Sequence, residues 1–364
     1  MKILLKRGTT SKVNDASLDS GEVAIDTTTK TLTLGTTVKK HTVQASKVAT
    51  KTSQLSNDIG AYASGSLTNL ISKRHNVGID NVILSNGSND VMHSTFNWLA
   101  QCGYQQTVLF TPNYESAFRY SKANSINICP VKLNYKTEFE PNVQKIIDTV
   151  EQSKYRKIIV YFSNPNNPIG VFNTKQQIQY CIEQCEKISN KQLFWIIDEA
   201  YIEFAKSPVV DSFVDVCTNV SNMIVLRTFS KYYQLSGARV GFGITIASNV
   251  NNINDHISTD CMNIIGVKAA IATFNCQEYY QTLYQDVQLS RTFLYQALKS
   301  MNIPTCQSYG NFLFCRLTDE QHKRLRQNDI IISRSFDCPF DGHKWNRITV
   351  GTIQNAYKVV EALA

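Results

Sequence analysis

Little in this sequence would tie it to a metal, a membrane or an oxidising compartment. Its ten cysteines form no Cys-x-x-Cys pair, its six histidines are dispersed, and no spacing suits a zinc site. Cys181 and Cys185 stand one helical turn apart in a stretch that reads as amphipathic helix. Thiols scattered through 364 residues point to a reducing compartment, the cytoplasm of a bacterium or of a cell hosting its virus. No apolar run approaches the length that crosses a bilayer, and residues 1–6 are too short for a secretory leader. The net charge is +8, but the basic residues are spread out. Their densest pairs, Lys39-Lys40 and Lys323-Arg324, lack the interleaved aromatics of a nucleic-acid surface. Internal repeats and low-complexity tracts are also missing.

What is present can bury a large core. Hydrophobic residues make up 43% of the chain, and its length suggests two domains. Between 51 and 250 short apolar runs alternate with helical stretches, the pattern of an α/β domain with a mostly parallel sheet and helices on both faces. Residues 251–364 read as a linking helix, with periodicity from Asp260 to Ser300, and a smaller α+β C-terminal domain containing Phe312 to Arg316 and Arg347 to Val350. Residues 1–50 diverge in composition, rich in Thr and Lys, and Glu22 to Gly35 reads as a hairpin with a Thr-rich turn.

Four strand-like runs end in polar tips, and open α/β sheets bind their ligands at the carboxyl ends of their strands. Asn222 to Arg227 leads into Thr228-Phe229-Ser230-Lys231, with Arg239 and Gly241 following. An amine that can form an imine, beside hydroxyls and a guanidinium that can hold a phosphate, is a set suited to covalent carbonyl chemistry. Lys157 to Phe162 runs into Ser163-Asn164-Pro165-Asn166-Asn167-Pro168-Ile169-Gly170, where the prolines fix a loop that presents Asn167. Leu193 to Ile197 ends in Asp198-Glu199-Ala200-Tyr201, a carboxylate followed by a phenol. Asn81 to Leu84 leads into Ser85-Asn86-Gly87-Ser88-Asn89-Asp90 and a helical pattern, so the free N–H groups of Gly87, Ser88 and Asn89 offer an anion site. Each tip alone is an ordinary turn, strand end or cap. Together they bring a lysine, a carboxylate, an amide, a phenol, hydroxyls and an arginine to one sheet edge.

Three of these segments, Asn-Pro-Asn-Asn-Pro-x-Gly, Asp-Glu-Ala-Tyr-Ile-Glu-Phe and Thr-x-Ser-Lys-x-x-x-Leu-x-Gly-x-Arg-x-Gly, resemble the fold-type I aminotransferases of classes I and II, and most closely the histidinol-phosphate aminotransferases. The resemblance runs from about residue 60 to the C-terminus. It extends to Tyr309-Gly310-Asn311-Phe312, Ile332-Ser333-Arg334 and Asn346-Arg347-Ile348. It implies pyridoxal 5'-phosphate as cofactor, with Lys231 as covalent anchor and proton carrier, Asp198 on the ring nitrogen, and Asn167 and Tyr201 on the phenolic oxygen. It also implies Tyr114 against the ring face, and the phosphate held by Thr228, Ser230, Arg239 and the N–H groups of Gly87, Ser88 and Asn89. Arg334 and Arg347 correspond to the subgroup's two substrate arginines, and Tyr62 to a tyrosine that reaches the neighbouring subunit of a homodimer.

The expected reaction exchanges an amine between histidinol phosphate, or a similar amino compound, and a 2-oxo acid. A decarboxylase of the phosphothreonine type shares the scaffold and could use the same arginines. The chain departs from the subgroup where an Asn-Glu-Asn-Pro-Tyr-Gly stretch closes over substrate, for Gln44 to Gly60 offers no counterpart. Leu5 to Thr10 and the hairpin after it resemble a segment at the start of phage tail and fibre proteins, which admits a third reading: a virus-associated structural protein built on the enzyme scaffold.

Overall fold

The computed structural model describes strands at 5–8, 23–26, 31–34 and 41–44, then residues 55–134, 138–205, 210–257, 262–333, 336–337 and 344–364, with side chains from Ser64 onward except at 336–337. The strands β1 (Leu5–Gly8), β2 (Val23–Asp26), β3 (Thr31–Leu34) and β4 (His41–Gln44) form one sheet in that order. β2 and β3 pair antiparallel, with Val23 opposite Leu34, as the hairpin pattern predicts.

The central sheet contains β5 (Val82–Ser85), β6 (Gln106–Thr111), β7 (Asn127–Lys132), β8 (Lys157–Ser163), β9 (Gln192–Asp198), β10 (Met223–Thr228) and β11 (Gly241–Ile244). Their order is β5-β11-β10-β9-β8-β6-β7. From β10 to β7 every neighbour pair is parallel, and β11 alone runs against its neighbours β5 and β10. Burial on both faces explains why β8, β9 and β10 read as continuous apolar runs. Ile158, Val160 and Phe162 of β8 join one core, while Ile159 and Tyr161 join the other. Each fully buried aliphatic or aromatic side chain contributes roughly 1.5–3 kcal/mol.

Helices cover both faces. Those placed before β9 are α1 (Leu55–His75), α2 (Ser88–Gln101), α3 (Glu115–Ala123), α4 (Val143–Gln152) and α5 (Lys175–Glu186). Beyond it come α6 (Val214–Cys217), α7 (Ala247–Asn254), α8 (Ile264–Thr273), α9 (Gln277–Ser300), α10 (Asp319–Gln327) and α11 (Ile353–Leu363). Leu67, Ile146, Ile178 and Val267 of α1, α4, α5 and α8 pack on one face, and Val91, Ala117 and Val250 of α2, α3 and α7 on the other.

The periodicity read from Asp260 to Ser300 resolves into two helices, α8 and α9, because the chain turns at Phe274 to Cys276. Phe274 caps α8 with helical dihedrals, φ −65° and ψ −23°, and packs 6.2 Å from Phe229 in the turn that carries Lys231, while the helical path is lost at Cys276, φ −115° and ψ 34°. A second, antiparallel sheet in the order β12-β13-β15-β14 is made of β12 (Thr305–Cys306), β13 (Phe312–Cys315), β14 (Phe336–Asp337) and β15 (Lys344–Thr349). α9 and α11 pack against it through Leu294, Leu298 and Val359. Among the described residues no helix is long and apolar enough to cross a membrane.

Candidate active site

The carboxyl ends of β8, β9 and β10 and the N-terminus of α2 open on one cavity, lined among others by Ser88, Asn89, Tyr114, Asn167, Asp198, Tyr201, Thr228, Ser230, Lys231 and Arg239. A larger cavity of about 340 Å³ beside the ends of β6 and β7, lined by Lys132, Glu140 and Lys145, contains none of these groups. The smaller one is the candidate site, because titratable side chains from several strand ends converge there.

Lys231 is presented by a turn that begins as β10 ends. The Thr228 hydroxyl accepts from the Ser230 amide at 3.0 Å, and the Gln234 amide closes onto the Lys231 carbonyl at 3.1 Å. Phe229, buried against Tyr233 and Phe242, anchors the turn. The Lys231 Nζ lies 5.4 Å from the centre of the Tyr201 ring. Burial lowers its pKa, and the Arg347 charge lowers it further, so the neutral amine is favoured relative to a solvated lysine.

Asp198 ends β9 and is 4% exposed. One carboxylate oxygen accepts from the Ala200 amide at 3.1 Å, the other from the Tyr161 hydroxyl at 2.8 Å. Burial raises its pKa to about 6, against the opposing pull of these two hydrogen bonds and of Lys231. Tyr201 follows in the same segment, its ring edge-on to Phe312 at 5.0 Å, and burial pushes its phenol up to about 12.

The loop after β8 is tied to its neighbours at both ends. Asn164 donates its amide to the Asp198 carbonyl at 2.9 Å, and its side chain brackets Asn173. Asn167 accepts from Arg347 Nη1 at 2.8 Å, linking the central sheet to the C-terminal one. Arg347 sits half-buried on β15 over the Phe312 ring, at 5.3 Å, and its backbone amide donates to Ser333. Its Nε is buried without a hydrogen-bond partner among the described residues.

The anion cradle is built by close backbone approach. Gly87 caps α2 at φ 95°, and a Cβ there would lie 2.5 Å from Arg239 Nη2. A Cβ at Gly241 would lie 2.2 Å from the Ser88 amide nitrogen. Only glycine lets β11 pass so near the helix start, whose first-turn N–H groups lack intrahelical partners. Arg239, in the left-handed region at φ 52°, reaches across with Nη1 to the Ser236 carbonyl and the Ser230 hydroxyl and with Nη2 to the Asn86 carbonyl. Asn89 donates to the Tyr114 hydroxyl at 2.9 Å, which fixes that ring beside the cradle.

The sequence therefore named most of the groups that converge here. Arg334 lies outside the described residues, as does the side chain of Tyr62, although its backbone falls within α1. Sequence reasoning missed Tyr161, a phenol inside an otherwise apolar strand, and that isolation was the available signal. It also missed the buried cluster in which Arg227 pairs with Glu199 at 2.8 Å and Glu203 at 2.9 Å and donates to Ser212.

The similarity to known proteins agrees with this geometry. A curated relative, histidinol-phosphate aminotransferase 2 of Carboxydothermus hydrogenoformans, is 29% identical over 85% of this chain and 84% of its own. The fold is that of the histidinol-phosphate aminotransferase of Sinorhizobium meliloti solved in complex with pyridoxal-5'-phosphate, with TM-score 0.69, 18% identity and coverage of 83% and 80% of the two chains. L-threonine-O-3-phosphate decarboxylase of Porphyromonas gingivalis has the same fold, with TM-score 0.67, 15% identity and coverage of 88% and 97%. Residues 17–363 match the family described as aminotransferase class I and II, and the chain belongs to it, as an enzyme that works with pyridoxal phosphate.

Proposed function

We propose that the enzyme moves an amino group between a phosphorylated amino compound of the histidinol phosphate type and a 2-oxo acid. The observation that carries this reading is Arg347. A half-buried guanidinium beside Lys231, its Nε unpartnered among the described residues, has unmet demand for an anion, and a planar fork suits a carboxylate. The curated relative's name supports the donor, and the chain's +8 charge favours an anionic one.

The residues present fit pyridoxal phosphate. Gly87 and Gly241 clear a cradle that a Cβ would fill, Arg239 and Ser230 supply phosphate donors, and Asp198 offers a buried carboxylate to the ring nitrogen. Asn167 and Tyr201 would bond the phenolic oxygen, Tyr114 would cover the ring, and Thr228 with the Ser88 and Asn89 amides would complete the phosphate site; that all of them line one cavity supports this reading. When bound, the cofactor supplies an electron-poor ring that takes up charge from the substrate's α-carbon. Lys231 anchors it and, as a neutral amine, takes the proton from that carbon. Asp198, as a carboxylate, would accept a hydrogen bond from the ring nitrogen and keep that nitrogen protonated, and Arg347, with Arg334, would bind the substrate's anionic groups. We further propose division into a segment 1–50, a cofactor domain 51–250 and a C-terminal part 251–364, and a homodimer in which Tyr62 reaches the second site.

A donor screen tests the reading. Histidinol phosphate with 2-oxoglutarate is expected to yield glutamate, and borohydride to leave a pyridoxyl adduct on the Lys231 peptide. Release of carbon dioxide from phosphothreonine, with no glutamate formed from any amine, would replace this reading with a decarboxylase.

A further inference from the structure

The interior of β8, between Lys157 and Ser163, carries one polar side chain that the reaction as described does not use. Within the run Ile158 to Phe162, Tyr161 is the single residue with a hydroxyl, and it is fully buried. A phenol in that setting must find a partner, because an unmet buried hydroxyl costs about 1–3 kcal/mol. The sheet register supplies one. Tyr161 stands opposite Ile196, and Ser163 opposite Asp198, so Tyr161 and Asp198 are diagonal neighbours on the same face. The long side chain spans that diagonal, and its hydroxyl donates to Asp198 Oδ2 at 2.8 Å. The other carboxylate oxygen is held by the Ala200 amide. With each oxygen held by one protein donor, Asp198 also lines the cavity.

We propose that Tyr161 is a positioning residue for amino transfer: its buried phenol clamps Asp198 from behind and keeps the carboxylate turned, as an acceptor, toward the cofactor's ring nitrogen. This rests on the reading of Asp198 given under the proposed function. A hydrogen bond donated to a carboxylate also stabilises its charged form. Burial pushes Asp198 the other way, and the groups that face it are Tyr161 from β8, Lys231 from the turn after β10, and Glu199 and Tyr201 from its own segment, with Arg347 and Tyr114 acting on Lys231. Tyr161 is itself held protonated, because burial and the Asp198 charge both raise its pKa. It therefore stays a donor. Without it the carboxylate becomes the stronger base, draws the ring nitrogen's proton to itself, and weakens the ring as an acceptor of charge.

The test compares Tyr161→Phe, Tyr161→His and Asp198→Asn with the parent holoenzyme. The readouts are the pH midpoint of the cofactor's visible absorption, the cofactor's Kd, and kcat and KM for the amino donor. In Tyr161→Phe the midpoint is expected to move upward, Kd to rise about tenfold and kcat to fall about tenfold, as for loss of a hydrogen bond to a charged group, with donor KM unchanged. Tyr161→His, which can still donate, should recover part of each. A Tyr161→Phe enzyme with the parent's midpoint, Kd and kcat, whatever its Tm, leaves Tyr161 as packing alone and overturns the proposal. If Asp198→Asn also matches the parent, the reading of Asp198 fails first. If Asp198→Asn is impaired and Tyr161→Phe is not, the clamp alone fails. Should the Phe variant not fold, 3-fluorotyrosine at 161, of nearly the same shape but a stronger donor, is expected to lower the midpoint, and an unmoved midpoint overturns the clamp.

Discussion

Lys231 and Arg347 are neighbouring basic side chains suited to different work. Lys231 can yield its proton: burial and the nearby guanidinium lower its pKa. Arg347 cannot, and its fork is fixed by Asn167 on one nitrogen and by the Phe312 ring beneath it. Arg347→Lys would keep the charge and lose the fork. Donor KM is then expected to rise about 10- to 100-fold, with a smaller change in kcat, in steady-state assays. An unchanged KM would move the substrate anion elsewhere. At this scale the sequence was legible wherever a polar residue stood at a strand tip, since little else explains a lysine or carboxylate there. Tyr161 was not legible, because a tyrosine inside a strand is also an ordinary core aromatic. Only the register reveals which carboxylate its hydroxyl meets.

The groups that line the candidate site come from strand ends, not whole strands, so the relative placement of those ends matters. Asp198 and Thr228 end β9 and β10, and the residues beside them, Glu199 and Arg227, form a buried ion pair extended by Glu203 and Ser212. The Glu199 amide also donates to the Leu226 carbonyl at 2.9 Å. This cluster locks the exits of the two strands together just below the cavity. Arg227→Met would leave two carboxylates buried without their cation. A loss of about 3–5 kcal/mol is expected from urea unfolding, with weakened cofactor binding as the strand ends separate. A loss below 1 kcal/mol would mean that water reaches those carboxylates. The alternation of apolar runs and helical stretches made these strands legible. The ion pair was not, because Glu199 and Arg227 are 28 positions apart and neither belongs to a local pattern. The break between α8 and α9 was hidden too, since the helical dihedrals continue at Phe274 and are lost only at Cys276, where no proline or glycine marks the sequence.

Over the whole molecule, the parallel α/β character followed from composition and periodicity, but the strand order did not. β11 is antiparallel and sits between β5 and β10, which only long-range contacts decide. That insertion brings Phe242 beside His75, the last residue of α1, with ring centroids 5.6 Å apart. Burial, aided by the Arg227 and Arg74 charges, lowers the His75 pKa from 6.5 to about 3. The unfolded chain therefore takes up a proton near pH 6.5 that the folded protein refuses until about pH 3, and stability from His75 is lost as pH falls through that window. Asp198 acts with the opposite sign in the cofactor-free protein. Its folded pKa of about 6 lies above the unfolded 3.8, so its contribution is full below 3.8 and lost as pH rises through 6. Between pH 6 and 3.8 the two oppose each other, and below 3.8 only His75 continues to act. Urea midpoints of the cofactor-free protein should thus change little from pH 6 to 4 and fall more steeply below. His75→Phe removes one side of this balance. Relative to the parent, the variant should gain about 2–4 kcal/mol on going from pH 7 to pH 4, allowing for the partial exposure of the ring. A gap between the two proteins that stays constant with pH would mean that the imidazole is protonated in the folded state, and that the contact with Phe242 opens to admit water.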